Sequence, residues 1–136
     1  MPSFEELDPG WRWDDEFPLA QAVRVGDSIF LSGQCALDEN GNVVGKGDLK
    51  AQARQCFENM TVVLARAGAK LTDVVRLTTY FTADLSDIET TKAYWEVRRQ
   101  YFGNHRLAST GVQVKALIYP SLLLEVDAIA VLPNAI

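Results

Sequence analysis

The chain has 136 residues, 48% hydrophobic and 23% charged, with 18 acidic against 13 basic residues for a net charge of −5, one His and two Cys. That length suits one domain large enough to bury a core and leaves no room for separate binding and catalytic domains. A net negative chain is a poor partner for nucleic-acid phosphates, and one His with two Cys falls short of a zinc ligand set unless carboxylates or another subunit join in.

No apolar run reaches the length of a membrane helix, and Met1-Pro2-Ser3-Phe4-Glu5-Glu6 lacks the basic and apolar regions of a signal peptide. A cytoplasmic protein without a membrane partner is therefore expected. In that setting Cys35 and Cys56 read as reduced, buried small hydrophobes with no redox role.

Residues 1–20 read as an acidic arm. Glu5, Glu6, Asp8, Asp14, Asp15 and Glu16 crowd it, Pro9-Gly10 marks a turn, and Trp11 and Trp13 are the anchors that pin it to a domain over residues 21–136. Residues 21–25 alternate, Gly26-Asp27 supplies a two-residue turn, and residues 28–32 resume as strand, which makes a β-hairpin. After the Asn40-Gly41 turn, residues 42–44 offer a short additional strand. From Asp48 as N-cap, Ala53, Cys56, Phe57, Met60, Val63, Leu64 and Ala67 recur at spacings of three and four until Gly68, the pattern of an amphipathic helix. Residues 74–82, β-branched and aromatic, read as a strand. Ser86-Asp87-Ile88-Glu89 has the form of a capping box opening a second helix, with Ile88, Tyr94, Trp95, Tyr101 and Phe102 on its buried stripe. A loop through Gly103 and His105 leads to an alternating strand over 111–117, and Pro120 separates it from a final strand over 122–131.

The order ββ(β)αβαββ describes an α/β domain with two helices on one face of a mixed sheet. The other face then needs a partner. In the final strand Leu122, Leu124, Val126, Ala128 and Ala130 point to one side and Leu123, Ile129 and Val131 to the other, so the second face is expected to bury against other subunits. Glu125 and Asp127 share that second face. A carboxylate in such a place costs free energy unless it is hydrogen-bonded or functional, which makes Glu125 the first candidate site residue.

Ser32-Gly33-Gln34, the Gly41 turn, Gln52 and Asn59, Ala67-Gly68-Ala69, Asp73-Val74-Val75 and the ending Leu124-Glu125-Val126-Asp127-Ala128-Ile129-Ala130-Val131 together resemble the RidA (YjgF) family of reactive-intermediate deaminases. The resemblance covers nearly all of the chain beyond the arm. It implies a chorismate-mutase-like fold, assembled as a homotrimer with ligand clefts between subunits. It also implies hydrolysis of enamines and imines such as 2-aminoacrylate to a keto acid and ammonia, with no metal or organic cofactor. In deaminating relatives an Arg of a Pro-Ala-Arg-Ser run pairs with the substrate carboxylate through two hydrogen bonds. Here the matching run is Leu107-Ala108-Ser109-Thr110, so Ser109 stands at the Arg position. Leu19 stands where the family has a Tyr, and Thr91 where a helix Asn contacts the site. Ser32 and Gly33 of the cleft wall, the Gly111 amide and Glu125 are retained.

Three explanations of the missing Arg remain open. Arg106 or His105, on the loop just upstream, turns into the cleft instead; or the substrate lacks or displaces the α-carboxylate, as a ring-cleavage product of the 2-aminomuconate kind would; or the chain binds a metabolite without catalysis. For Arg106 and His105 the plain alternative is a solvated loop residue. In the enzymatic reading the substrate is a small metabolite other than 2-aminoacrylate. Glu125 then activates the attacking water and returns a proton to the leaving nitrogen. The Gly111 amide, with the Ser109 or Thr110 hydroxyl, holds a substrate oxygen, and Gly33 lets the ligand approach the backbone. The alternative role for Glu125 is a structural carboxylate at the trimer interface.

Overall fold

The computed structural model describes residues 4–133, so the extreme ends of the expected arm and domain, residues 1–3 and 134–136, lie outside it. The elements are β1 (Glu5–Leu7), β2 (Ala22–Val25), β3 (Ser28–Cys35), α1 (Leu49–Ala65), β4 (Val74–Phe81), α2 (Ile88–Phe102), β5 (Ala108–Gln113) and β6 (Leu124–Val131). They build one mixed sheet in the order β1-β2-β3-β6-β4-β5. β4 and β5 are parallel neighbours. Parallel neighbours cannot be joined by a hairpin, and α2 is the crossover that joins them. No described helix is long and apolar enough to cross a membrane.

The hairpin forms where its turn residues require it. Gly26 takes φ +61, and among the described residues only glycines adopt positive φ, which suits a two-residue turn with Gly first. Asp48 caps α1 by accepting from Ala51 N at 3.1 Å, and Gly68 at φ +73 stands just beyond the helix. The stripe Ala53, Cys56, Phe57, Met60, Val63 and Leu64 is buried as its spacing predicts. On β6, Leu124, Val126, Ala128 and Ala130 are buried beneath the helices. The opposite face carries Phe30 paired with Ile129, and Phe30 is 43% and Val131 39% exposed. The second face of the last strand thus carries two apolar residues, Ile129 and Val131, beside the two acids Glu125 and Asp127.

Several local expectations change. Residues 42–44 do not form a strand: flanked by glycines at positive φ (Gly41, Gly45, Gly47), they contribute only a Leu37–Val43 bridge. The additional strand lies in the acidic arm, where β1 pairs antiparallel with β2 and buries Leu7. Asp87, not Ser86, caps α2, accepting from Glu89 N at 3.0 Å, because Ser86 is already bonded to Asp84. The buried stripe of α2 is Tyr94, Val97, Arg98 and Phe102, while Ile88, in the first turn, is 64% exposed. β5 starts at Ala108 rather than Gly111, since pairing with β4 begins at Arg76↔Ala108.

Candidate active site

One group of candidate residues gathers on the helix-free face of the sheet. Between the pairs Leu31↔Ala128 and Gln34↔Val126, Ser32 and Gly33 lie opposite the single residue Asp127, a β-bulge. The bulge turns Gly33 toward Glu125, which pairs with Cys35 across the strands. A Cβ on Gly33 would overlap Glu125 Oε2 and sit 2.8 Å from Cδ, so only glycine leaves the carboxylate its place. Cys35 Sγ donates to Glu125 Oε1 at 2.9 Å. Burial first, then that bond to Glu125, pushes the Cys35 thiol far above its ordinary range, and burial does the same for Cys56. Neither thiol is a ready nucleophile. Ser32 Oγ donates to Ala20 O at 2.6 Å, which ties the bulge to the segment bearing Leu19. Asp127, the second acid on this face, accepts from Tyr80 Oη at 3.1 Å and thereby raises the Tyr80 phenol's pKa.

A second group lies on the helix side, at the sheet's edge. Thr91, Tyr94, Trp95 and Arg98 share one face of α2 and, with Thr79, Phe81, Ser109 and Gly111, line a cavity of about 230 Å³. Arg98 Nη1 donates to Ser109 Oγ at 2.8 Å and to Tyr94 Oη at 3.4 Å, while Trp95 stacks with its ring centroid 4.6 Å from Cζ. Tyr94 Oη in turn bonds Thr79 Oγ1 at 2.6 Å. Among the described strands, β5 has no neighbour on its outer side. Val114 N bonds back to Phe81 O of β4 at 2.7 Å, so strand alternation aims the amides of Gly111 and Ser109 at the free edge.

Residues 13–132 match the family model described as Endoribonuclease L-PSP. The chain belongs to this family, the RidA (YjgF/RutC) family. A RutC family protein of Pyrococcus abyssi is 39% identical over 113 residues, 83% of this chain and 85% of the relative. The human 2-iminobutanoate/2-iminopropanoate deaminase is 35% identical over 114 residues, 84% of this chain and 80% of the relative. Among solved structures, Escherichia coli TdcF with bound serine superposes with a TM-score of 0.74 at 30% identity, covering 85% of this chain and 89% of that one.

Within this RidA chain the candidate residues fall into two separate sets. Ser32, Gly33 and Glu125 stand on the helix-free face, with Leu19 adjoining them on an exposed segment of the arm. Thr91, Ser109, Thr110 and Gly111 line the cavity beneath α2, although the Thr110 hydroxyl accepts from Arg76 Nη2 at 2.9 Å. His105 is held by a 2.7 Å bond between Nε2 and Val74 O. Arg106 is exposed and, with His105, Arg98 and Arg99, lines a neighbouring groove of about 500 Å³. Neither His105 nor Arg106 lines the cavity that holds Thr91 and Gly111. No group of three or more His, Cys, Asp or Glu with metal-binding geometry occurs among the described residues.

The residue that sequence reasoning passes over is Arg98. Its signal is present: four residues after Tyr94 and seven after Thr91, it occupies the buried stripe of α2, where a cation has no ordinary reason to be.

Proposed function

We propose that the protein is a cofactor-independent enamine/imine hydrolase acting on a small metabolite. Its cleft forms where the α2–β5 cavity of one protomer meets the Gly33–Glu125 face of the next, in a homotrimer. One observation carries this reading: the carboxylate and the cavity lie on opposite faces of one sheet, so a single chain cannot bring them to one ligand. A contact between β5's free edge and the helix-free face of another copy joins two different surfaces, and such a contact makes a closed ring of three when each copy is rotated by a third of a turn. Phe30, Ile129 and Val131 supply the apolar area for that contact. The iminobutanoate and iminopropanoate in the human relative's name, and the serine bound to TdcF, support a small amino-acid-derived substrate.

In this cleft Glu125 takes a proton from water as the water oxygen attacks the imine carbon. An enamine first becomes the imine by protonation at its terminal carbon and loss of a proton from nitrogen. The edge amide of Gly111 holds a ligand oxygen while the carbinolamine forms. Glu125 returns its proton to nitrogen to complete the neutral carbinolamine. It then takes the carbinolamine hydroxyl proton as the carbonyl forms and passes that proton to nitrogen, the C–N bond breaks, and ammonia leaves with the carbonyl product.

The test is ammonia release from imines and enamines generated in solution. Glu125→Gln is expected to lose turnover by about 100-fold or more. Gly111→Leu, which fills the cavity on the other half, is expected to be inactive too. Mixed trimers of the two variants should regain about a quarter of their sites, because a shared seam then unites two intact halves. Full activity of Glu125→Gln in an intact assembly removes the proposed chemistry, and failure of mixing to restore turnover removes the shared cleft. The second reading is a non-catalytic metabolite-binding trimer, favoured by Ser109 and Leu19 at the positions where the family resemblance leads one to expect Arg and Tyr. It predicts a ligand that raises the melting temperature and is not consumed.

A further inference from the structure

Arg98 is a buried cation without an anion. It is 7% exposed, and no described carboxylate forms an ion pair with it, in a chain of net charge −5. A guanidinium so placed is costly to bury unless something negative joins it. Its bonds to Ser109 and Tyr94 both leave from Nη1, and no described group accepts from Nε or Nη2. Trp13 Nε1 is the one fully buried side-chain nitrogen or oxygen without a partner among the described residues, so Arg98 Nε and Nη2 are reached by solvent. The edge left free is the one from which a guanidinium makes two parallel bonds to a carboxylate. Ser109 is matched to this arrangement. Its hydroxyl accepts from Arg98, whereas an arginine on the strand there would set a second cation against the first.

We propose that Arg98 is the anion-binding residue of the cleft, its Nε–Nη2 edge receiving the carboxylate of the ligand from the helix side. The substrate class is then 2-imino or 2-enamino carboxylates rather than neutral imines. This rests on the hydrolase reading for the ligand's identity but not for the binding event, which needs no turnover. The groove that Arg98 shares with Arg99 and Arg106 has no carboxylate in its lining, so it favours the approach of an anion.

Calorimetric titration with 2-oxobutanoate, the keto acid that hydrolysis of 2-iminobutanoate releases, and with its neutral amide tests the proposal without catalysis. The wild-type protein is expected to prefer the acid by about 10-fold or more, Arg98→Met to bind acid and amide alike, and Arg98→Lys to keep part of the preference. A melting curve for each variant shows whether the domain is folded. Absence of an acid preference in the wild type, or its survival in folded Arg98→Met, overturns the assignment. A protein that prefers the acid through Arg98 yet releases no ammonia from any imine keeps the anion site and loses the hydrolase reading.

Discussion

Helices α1 and α2 cover the same face of the sheet, and each buries polar side chains, but the two sets are held in opposite ways. On α1, both polar atoms of the Gln52 amide are bonded: Oε1 accepts from Leu123 N at 2.7 Å and Nε2 donates to Ser121 O at 2.9 Å. Asn59 donates to Cys35 O at 3.0 Å and Leu37 O at 2.9 Å, and accepts from Gln55 at 2.9 Å. These residues pin strand ends and loops to the helix, and each of their side-chain nitrogens and oxygens has a partner within the chain. On α2, Arg98 has its charge uncompensated and one guanidinium edge free. A buried polar group whose valences are filled by its own chain is structure; one whose valences are half filled, beside a cavity, is a site.

The same substitution on each helix should therefore act with opposite sign. Gln52→Met keeps the side chain's length but orphans the Leu123 amide and the Ser121 carbonyl, and is expected to destabilise the fold by about 2–3 kcal/mol. Denaturant unfolding measures it, and a change below about 0.5 kcal/mol would mean that these backbone groups find other partners. Arg98→Met removes an unpaired charge while keeping the apolar stem, and is expected to stabilise by about 1–2 kcal/mol. A lower unfolding free energy for Arg98→Met would break the comparison. Arg98 would then be a structural cation, balanced by a carboxylate across the subunit seam.

Much of this could be read from the residues. The three-and-four spacing of α1 and the alternation of β6 are strong signals because a buried surface enforces them, and the Gly26-Asp27 turn is one because its positive φ selects glycine. Glu125 was legible as a carboxylate in an apolar strand, and its neighbours Gly33 and Cys35 confirm that its position is crowded. β1 and the start of β5 were not legible, because edge strands exposed along most of their length show no hydrophobic alternation. Arg98 was missed for a different reason. A cation on a helix ordinarily reads as solvent-facing, which outweighs its spacing of four from Tyr94, and the placement of Ser109, Tyr94 and Trp95 around it reverses that reading.

The smallest effect concerns the link between the two helices. Tyr101 of α2 donates its phenol to Glu58 Oε1 of α1 at 2.6 Å, in an exposed setting. Desolvation first, and then the bond to Glu58, pushes the phenol up to about 12. The folded state thus holds this proton more tightly than the unfolded chain, in which a tyrosine titrates near 10. Below about pH 10 both states keep the proton and the link contributes no pH dependence; between about 10 and 12 the unfolded state ionises first and the stability it lends is lost. Tyr101→Phe should therefore flatten the stability profile across that window and cost less than about 1 kcal/mol at neutral pH, since water competes for both partners. Unfolding free energies of the two proteins from pH 9 to 12 decide the matter. A loss of several kcal/mol at neutral pH would show that α2 is held in place by α1 through this bond rather than by Phe57, whose ring packs against Tyr94 and Phe102 beneath it. In that case the position of Arg98, and with it the contrast between the helices, would depend on a surface contact and not on the core.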